Sequence, residues 1–270
     1  MEFKTVFVVY DPTRPDQPAL ERAGNIARET GGEVHVFVAI HTEMGKSADQ
    51  AAEIKRLLAS QRERLSCAVL PLRGRGIPVT TEVEWDKDWY SAVVKAVKRN
   101  KADLVLKSSY PHSARERQLN RTSDWTLIRQ CQCPVLLVKD GPMRESRRVL
   151  AAVDIRAANE AYRKLNQHII DFSQRVVDSH LAEVHFINAF GDLNAFPDRN
   201  ALVKSCGVSS DRVHIELGDP EDVIVRGARD LDASLVVVGN SARTGLAAVF
   251  KGNTVEKVLD KLDCDVLSMP

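Results

Sequence analysis

Short apolar runs recur along the chain, and the stretches between them carry apolar residues at helical spacing. The runs are rich in Val, Ile, Leu and Phe and do not alternate strictly with polar residues, which is typical of strands in a parallel sheet covered on both faces. Amphipathic helices are predicted between them, at residues 49–65, 89–100, 159–180, 220–231 and 255–262. The apolar face of the first of these includes one polar residue, Gln61. The pattern predicts the α/β fold class, with doubly wound parallel sheets.

The predicted elements occur twice in the same order. Four segments of the first half have a counterpart in the second half, at offsets between 131 and 150 residues. The pairs are residues 3–11 and 146–154, 33–39 and 183–189, 101–107 and 232–238, and 133–137 and 264–268. Four matches in one order are hard to obtain by chance. The sequence therefore predicts a tandem duplication with domains at residues 1–140 and 141–270, each built on a five-stranded sheet.

Composition and charge indicate which partners and which cellular location to expect. The chain has 38 basic and 37 acidic residues, and its formal net charge of +1 predicts no general attraction to nucleic acid or to an anionic membrane. Its apolar runs are far shorter than the roughly 18 residues of a membrane-spanning helix. The first ten residues lack the features of a secretory signal, and the cysteine count of five is odd. Both observations favour a reducing, cytoplasmic location.

Catalytic and metal-binding motifs are absent from the sequence. It has no Gly-x-Ser-x-Gly elbow, no His-Glu-x-x-His pair and no Cys-x-x-Cys pair, so neither a catalytic residue nor a metal site is predicted. The cysteines are expected to be small buried residues. His35 and His185 occupy matching strand positions and are expected to form hydrogen bonds within the fold. The tryptophans are expected to be core or domain-packing residues; they are Trp85, Trp89 and Trp125.

The segment that follows the fourth strand of the second half is suited to bind an anion. It contains Gly239 at the strand end and Gly252 just before the last predicted helix. Glycines at a strand end let backbone N–H groups approach a phosphate, and a helix start favours negative charge. Arg243 stands in the same segment, and Asn253 or Thr254 can cap the helix or contact a ligand. The spacing of these glycines is not that of a P-loop. The turn that follows the first strand of the second half contains no glycine, so the dinucleotide-binding fingerprint is missing as well.

The duplication, the aspartate after each first strand and this glycine segment together resemble the tandem-domain universal stress proteins of the universal stress protein A superfamily. The resemblance covers essentially the whole chain. It implies two adenine-nucleotide alpha-hydrolase-like domains that pack as an intramolecular pseudo-dimer. ATP-binding members of the family carry Gly-x2-Gly-x9-Gly-Ser/Thr after the fourth strand. The matching positions here are Gly239, Ala242, Gly252 and Asn253, with Thr254 one place later.

The resemblance also implies contacts outside the glycine segment. The aspartate after the first strand contacts adenosine in nucleotide-binding relatives, which assigns that role to Asp154. The backbone near the end of the second strand contacts the base, which assigns that role to Ala189. A structural alternative stays open for Asp154, since an aspartate at this place can simply cap the following turn.

The first half departs further from the family pattern. Ser108, Pro111 and Arg121 stand at its glycine positions, and Pro111 also lacks an amide donor. Because only Asp11 is retained, the resemblance implies a degenerate first domain that cannot bind nucleotide in the family's way. The basic residues nearby form either a solvated face or an anion site that replaces the glycines; they are His112, Arg115, Arg117 and Arg121.

These observations favour a cytoplasmic, non-catalytic binding module of the stress response. Its ligand is expected in the second domain and is ATP, with Mg²⁺, a related nucleotide or another small molecule. Two alternatives stay open, namely a weak ATPase or nucleotide hydrolase and an interaction scaffold with no small ligand. The two domains are expected to pair through their last strands, at residues 135–138 and 266–269, and a homodimer is a further option.

Overall fold

The computed structural model describes residues 3–44, 49–110, 123–141, 144–154, 160–178, 182–192, 196–240, 258–259 and 261–270. The chain divides into two compact units after Asp140. Strands and helices alternate in both units. None of the described helices has the length and apolar composition needed to cross a membrane.

The first unit contains five strands and five helices within its described residues. Its strands are β1 (Thr5–Val9), β2 (Glu33–Ile40), β3 (Val79–Trp85), β4 (Leu104–Ser109) and β5 (Val135–Lys139). Its helices are α1 (Pro18–Thr30), α2 (Gln50–Ala68), α3 (Leu70–Gly74), α4 (Trp89–Arg99) and α5 (Ser123–Gln130).

The second unit repeats the strand pattern with fewer described helices. Its strands are β6 (Arg148–Ala152), β7 (Glu183–Phe190), β8 (Val213–Leu217), β9 (Leu235–Gly239) and β10 (Asp265–Met269). Its helices are α6 (Glu160–Asp178), α7 (Arg199–Cys206) and α8 (Pro220–Asp230), and a single 3₁₀ turn covers Ser210–Arg212.

Both sheets have the same order of parallel strands. The first reads β3-β2-β1-β4-β5 and the second reads β8-β7-β6-β9-β10. In each sheet the chain first builds outward on one side of its first strand and then crosses to the other side. The crossing leaves a crevice at the carboxyl ends of β1 and β4, and likewise of β6 and β9, where sheets of this kind bind ligands. The predicted α/β class with two doubly wound parallel sheets is confirmed.

The repeated histidines show how closely the two sheets correspond. His35 and His185 each lie opposite the middle residue of the first strand of their unit. Each ring also contacts a side chain of the outer strand: His35 Nε2 lies 3.1 Å from Glu82 Oε2, and His185 Nδ1 lies 3.0 Å from His214 Nε2. The expected hydrogen bonds within the fold are therefore present, although the partner differs between the units.

The helix α4 brings two aromatic residues to the end of the first sheet. The carboxylate of Asp88 accepts a hydrogen bond from the backbone N–H of Ser91 at 3.2 Å and so caps the helix start. Four small apolar residues at helical spacing then bury one face of the helix; they are Ala92, Val93, Ala96 and Val97. Since that face is anchored on the sheet, Trp89 and Tyr90 are held in the first turn, at the crevice.

The packing prediction for the cysteines is correct only in part. Cys131, Cys206 and Cys264 are buried, whereas Cys67 is exposed on α2 and Cys133 is half-buried. Burial raises the pKa of Cys206 to about 12 and that of Cys264 to about 11, so both remain protonated and unreactive at neutral pH. Cys67 does not fit the prediction because its helix turns that side toward solvent.

Candidate functional site

A small cavity lies at the carboxyl ends of β6, β7 and β9, with a volume of about 210 Å³. It brings together Asp154, Ala189 and Gly239, which come from three separate segments of the sequence. Side chains of α6 and α8, including those of Tyr162 and Ile224, complete an apolar wall. Three of the eight predicted ligand-binding residues therefore share one cavity, and the exposed Asp154 stands at its edge.

An amide side chain holds the backbone of Asp154. Asn166 Oδ1 accepts a hydrogen bond from the Asp154 N–H at 3.0 Å, and Asn166 Nδ2 donates to the Asp154 carbonyl oxygen at 2.6 Å. The same clamp exists in the first unit, where Gln17 Oε1 accepts from the Asp11 N–H at 3.2 Å and Gln17 Nε2 donates to the Asp11 carbonyl oxygen at 2.7 Å. A primary amide can do both at once because it carries a donor and an acceptor side by side. Neither amide was predicted from the sequence. The two do not share a position in the pattern, because Gln17 precedes its helix and Asn166 lies within one.

The glycine at the end of β9 has a packing role. A Cβ at Gly239 would lie 2.6 Å from Cδ2 of Leu165 and 3.2 Å from Cδ1 of Ile169, both on α6. The contact with Leu165 is shorter than carbon atoms make, so a side chain at this position would force Leu165 to move, whereas glycine allows the close approach of α6 to β9. The presence of Gly239 is thus explained without a phosphate.

The equivalent position in the first unit is Ser108, which is buried. Its hydroxyl oxygen accepts a hydrogen bond from the backbone N–H of Ala19 at 3.2 Å, in the first turn of α1. First-turn amides have no partner within their own helix, so this bond satisfies one of them. The two units therefore seat their first helices differently at the same point of the sheet.

Many of the predicted site residues lie outside the described residues. This is true of five predicted contacts of the glycine segment, namely Ala242, Arg243, Gly252, Asn253 and Thr254, and of the basic residues His112, Arg115, Arg117 and Arg121. Their roles stay predictions. Within the part of the chain that the structure describes, no group of three or more His, Cys, Asp or Glu side chains is arranged to hold a metal ion.

The first unit has a larger cavity at the corresponding strand ends, with a volume of about 780 Å³. That volume falls within the roughly 300–1,000 Å³ typical of small-molecule sites. The substitution of the family's glycines has not closed this cleft. Its lining includes four aromatic residues, Tyr10, Trp89, Tyr90 and Tyr110, and four cationic residues, Arg14, Arg64, Lys87 and Lys107. Of the two roles predicted for Trp89, that of a core residue is wrong, because the side chain is half-buried and lines this cavity. Trp85 is half-buried as well, and the side chain of Trp125 lies outside the described residues.

The retained aspartate of the first unit caps a turn. Asp11 Oδ1 accepts hydrogen bonds from the backbone N–H of Thr13 at 2.9 Å and from its hydroxyl at 2.6 Å. The carboxylate is therefore used locally, which is the structural role that an aspartate at this place can have.

Tyr110 forms one wall of the same cleft. Its hydroxyl donates a hydrogen bond to the carbonyl oxygen of Asp16 at 2.7 Å, and the Arg14 guanidinium lies 4.8 Å from the ring centroid, within cation–π range. Burial raises the pKa of Tyr110 above its usual value of 10, so the phenol stays neutral at physiological pH. This wall therefore contributes a neutral ring and a fixed positive charge.

Comparison with known proteins identifies the family. The model of the universal stress protein family matches residues 2–139 and again residues 145–270. The chain belongs to this family. It is a tandem universal stress protein, as the sequence predicted.

Individual relatives cover both domains of this universal stress protein. Universal stress protein E of Escherichia coli is 30% identical, over 98% of this chain and 93% of its own length. A functionally unknown protein of Pseudomonas aeruginosa has a crystal structure with 28% identity and a TM-score of 0.77, over 99% of this chain and 92% of that one. A universal stress protein from Archaeoglobus fulgidus shares the fold, with 19% identity and a TM-score of 0.78, over 99% and 96% of the two chains.

Proposed function

We propose that this protein is a cytoplasmic, non-catalytic binding module of the stress response, with a nucleotide in the cleft of its second domain. The observation that supports the proposal is the convergence of Asp154, Ala189 and Gly239 on one cavity at the switch point of the sheet. A carboxylate at its edge is an acceptor for ribose hydroxyls, and the backbone of a strand end can hydrogen-bond to a base.

ATP is the ligand that we put first. The described cavity of about 210 Å³ is below the usual range for a whole ligand, so we assign it to the base and ribose. The phosphates are assigned, by family resemblance, to the segment with Arg243, Gly252, Asn253 and Thr254, and Mg²⁺ would accompany them. We propose no hydrolysis, because phosphoryl transfer needs a positioned water and a coordinated metal, and the sequence shows no carboxylate cluster dedicated to them.

Isothermal titration of the full-length protein with Mg-ATP tests this site. Asp154→Ala should weaken ATP binding about tenfold, since a charge-assisted hydrogen bond is lost. Gly252→Val should weaken it as well, because a Cβ would crowd the phosphate. The matched control is Asp11→Ala, which changes the equivalent aspartate of the first domain and should leave ATP affinity within twofold. No binding at millimolar ATP, or equal affinity in all three variants, would overturn the proposal.

The two alternative functions predict different results with the same protein. Phosphate release from Mg-ATP that Asp154→Ala abolishes would favour a nucleotide hydrolase. Native mass spectrometry of freshly purified protein separates a binding module, which carries a nucleotide, from a scaffold with no small ligand. Titrations with cAMP and dAMP, with which other universal stress proteins have been solved, extend the probe set. They separate recognition of the base from recognition of the phosphate chain.

The association state is a separate part of the proposal. Pairing of the two domains through residues 135–138 and 266–269 stays a prediction, as does a homodimer. Light scattering after size-exclusion chromatography gives the mass in solution. A mass near 30 kDa is expected if the internal pair is sufficient, and twice that value if the chain also dimerises.

A further inference from the structure

We propose that the cleft of the first domain is a second, independent ligand site, which takes an organic anion with an aromatic or apolar body. Sequence comparison with the family marks this domain as having lost its nucleotide motif. Its cleft nevertheless has a volume of about 780 Å³, against about 210 Å³ for the described cavity of the second domain. The chemistry of its lining indicates what it holds.

A buried amide without a partner is the first sign of a ligand. Gln61 is only 5% exposed, lines the cavity from α2, and its Nε2 has no hydrogen-bond partner in the structure as described. An unpaired buried donor lowers stability, and native proteins rarely keep one without a use. Leu65, one turn further along α2, buries its side chain on the same helix. An apolar residue would therefore suit position 61 better than glutamine, unless a ligand supplies the missing acceptor.

The second sign of a ligand is positive charge in the cleft that has no acidic partner among the described residues. Arg64 stands three residues after Gln61 on α2, so the two side chains share one face of the helix. Lys87 lines the same cavity from the connection between β3 and α4. Neither cation makes a salt bridge to any described residue. Lys107 differs, because its Nζ lies 2.7 Å from Asp124 Oδ1 and its charge is already balanced.

The two carboxylates of the cleft already accept local hydrogen bonds, although each keeps its negative charge. Asp11 accepts its hydrogen bonds from Thr13, and Asp86 Oδ1 accepts one from the backbone N–H of Asp88 at 2.8 Å. Both carboxylates thus serve to hold turns. The lining thus has two negative charges against four positive ones, and of the four cations Lys107 alone forms an ion pair with a described residue. The excess positive charge and the amide donor of Gln61 together suit a carboxylate, sulfonate or phosphate group.

Aromatic and aliphatic side chains define the rest of the ligand. The rings of Trp89 and Tyr90 lie with centroids 3.8 Å apart at the start of α4, and both line the cavity together with Leu57 and Val93. Such a surface favours a flat or apolar body over a chain of phosphates. The hydroxyl of Ser108, which occupies a glycine position of the family motif, is already bonded to the N–H of Ala19. The site is therefore distinct in chemistry from the nucleotide site of the second domain.

A pair of fluorescent probes tests the site in the full-length protein. The first is 8-anilinonaphthalene-1-sulfonate, an aromatic anion, and the second is N-phenyl-1-naphthylamine, its neutral analogue. The variants are Arg64→Gln, Lys87→Gln and Gln61→Leu. Arg62→Gln is the matched control, because Arg62 is exposed on the same helix and does not line the cavity. Circular dichroism checks that each variant is folded.

The sulfonate probe should bind one site per chain, at least tenfold more tightly than the neutral probe. Arg64→Gln and Lys87→Gln should each weaken sulfonate binding about tenfold, leave the neutral probe within twofold, and reduce the salt dependence of binding. Gln61→Leu should weaken the sulfonate probe several-fold in a protein of equal or greater stability. Equal affinity of the two probes, or equal effects of Arg64→Gln and Arg62→Gln, would overturn the proposal. If Gln61→Leu fails to fold, the two charge variants decide alone.

Discussion

The two clefts occupy the same place in two copies of one sheet and differ in the helices that surround them. In the first domain α2 has 19 residues and lines a cavity of about 780 Å³. The corresponding helix of the second domain, α7, has eight residues, and none of them is among the described residues that line the cavity of about 210 Å³. The strand order is identical. The sheet therefore determines where a ligand can bind, and the helices packed on it determine which ligand fits.

The packing of the first helix also differs between the two domains. In the second domain Leu165 and Ile169 reach the end of β9 and leave no room for a side chain at Gly239. In the first domain α1 approaches the same strand end through a hydrogen bond between the N–H of Ala19 and the hydroxyl of Ser108. The first helix is thus held by apolar packing in the second domain and by a hydrogen bond in the first.

The largest effect is expected from exchanging the two strand-end residues. Gly239→Ser places a side chain against Leu165 and should cost about 2–3 kcal/mol of unfolding free energy through overpacking. Ser108→Gly removes one buried hydrogen bond and adds a flexible residue to a strand, and should cost about 1–2 kcal/mol. Chemical denaturation of the full-length variants measures both values.

A second substitution separates overpacking from other causes. Leu165→Ala combined with Gly239→Ser should show a coupling of at least about 1 kcal/mol, because the shortened side chain removes the clash. A cost below about 0.5 kcal/mol for Gly239→Ser, the size of an ordinary surface change, would contradict the packing account.

A smaller, paired effect is expected from the two amide clamps. Asn166→Ala and Gln17→Ala each remove two hydrogen bonds to the backbone of an aspartate and should each cost about 1–2 kcal/mol. Asn166→Ala should also weaken ATP binding and leave the sulfonate probe unaffected. Gln17→Ala should weaken binding of the sulfonate probe and leave ATP binding unaffected. Loss of both ligands in either variant would mean that the two clefts are not independent.

The smallest expected effect is a change in how the stability of the second domain depends on pH, through the histidine pair of β7 and β8. Burial lowers the pKa of both His185 and His214 below the ordinary value of 6.5. Below pH 6.5 the unfolded chain therefore binds more protons than the folded one, and the unfolding free energy should fall as the pH decreases through this window.

His214→Glu installs the residue that stands at the equivalent position of the first domain, Glu82. A carboxylate beside His185 favours its protonated form, so the loss of stability between pH 7 and pH 5 should shrink. An unchanged pH profile would show that the histidine pair is not its source.

The fold was predictable because it depends on patterns that repeat. Buried strands, amphipathic helices and the order of the four matched segments are all visible in one sequence, and Asp154, Ala189 and Gly239 share a cavity because parallel strands end at one edge. The reason for Gly239 was not predictable, since its contact with Leu165 depends on how α6 is seated.

The first-domain cleft could be found only from the structure. A motif comparison examines the glycine positions, and their substitution marks the domain as degenerate. The one signal in the sequence was Gln61, a polar residue on the apolar face of a predicted helix. Whether such a residue faces a cavity or a packed neighbour depends on long-range contacts, here those that bring Trp89 and Lys87 to the same space.

The most direct test of two independent clefts is a competition titration. The protein is saturated with the sulfonate probe and then titrated with Mg-ATP, while heat and probe fluorescence are recorded together. We expect ATP to bind with one site per chain and with the affinity it has in the absence of the probe, while the probe stays bound. Displacement of the probe by ATP, in proportion to ATP binding, would show that the two ligands share one site and would contradict the account.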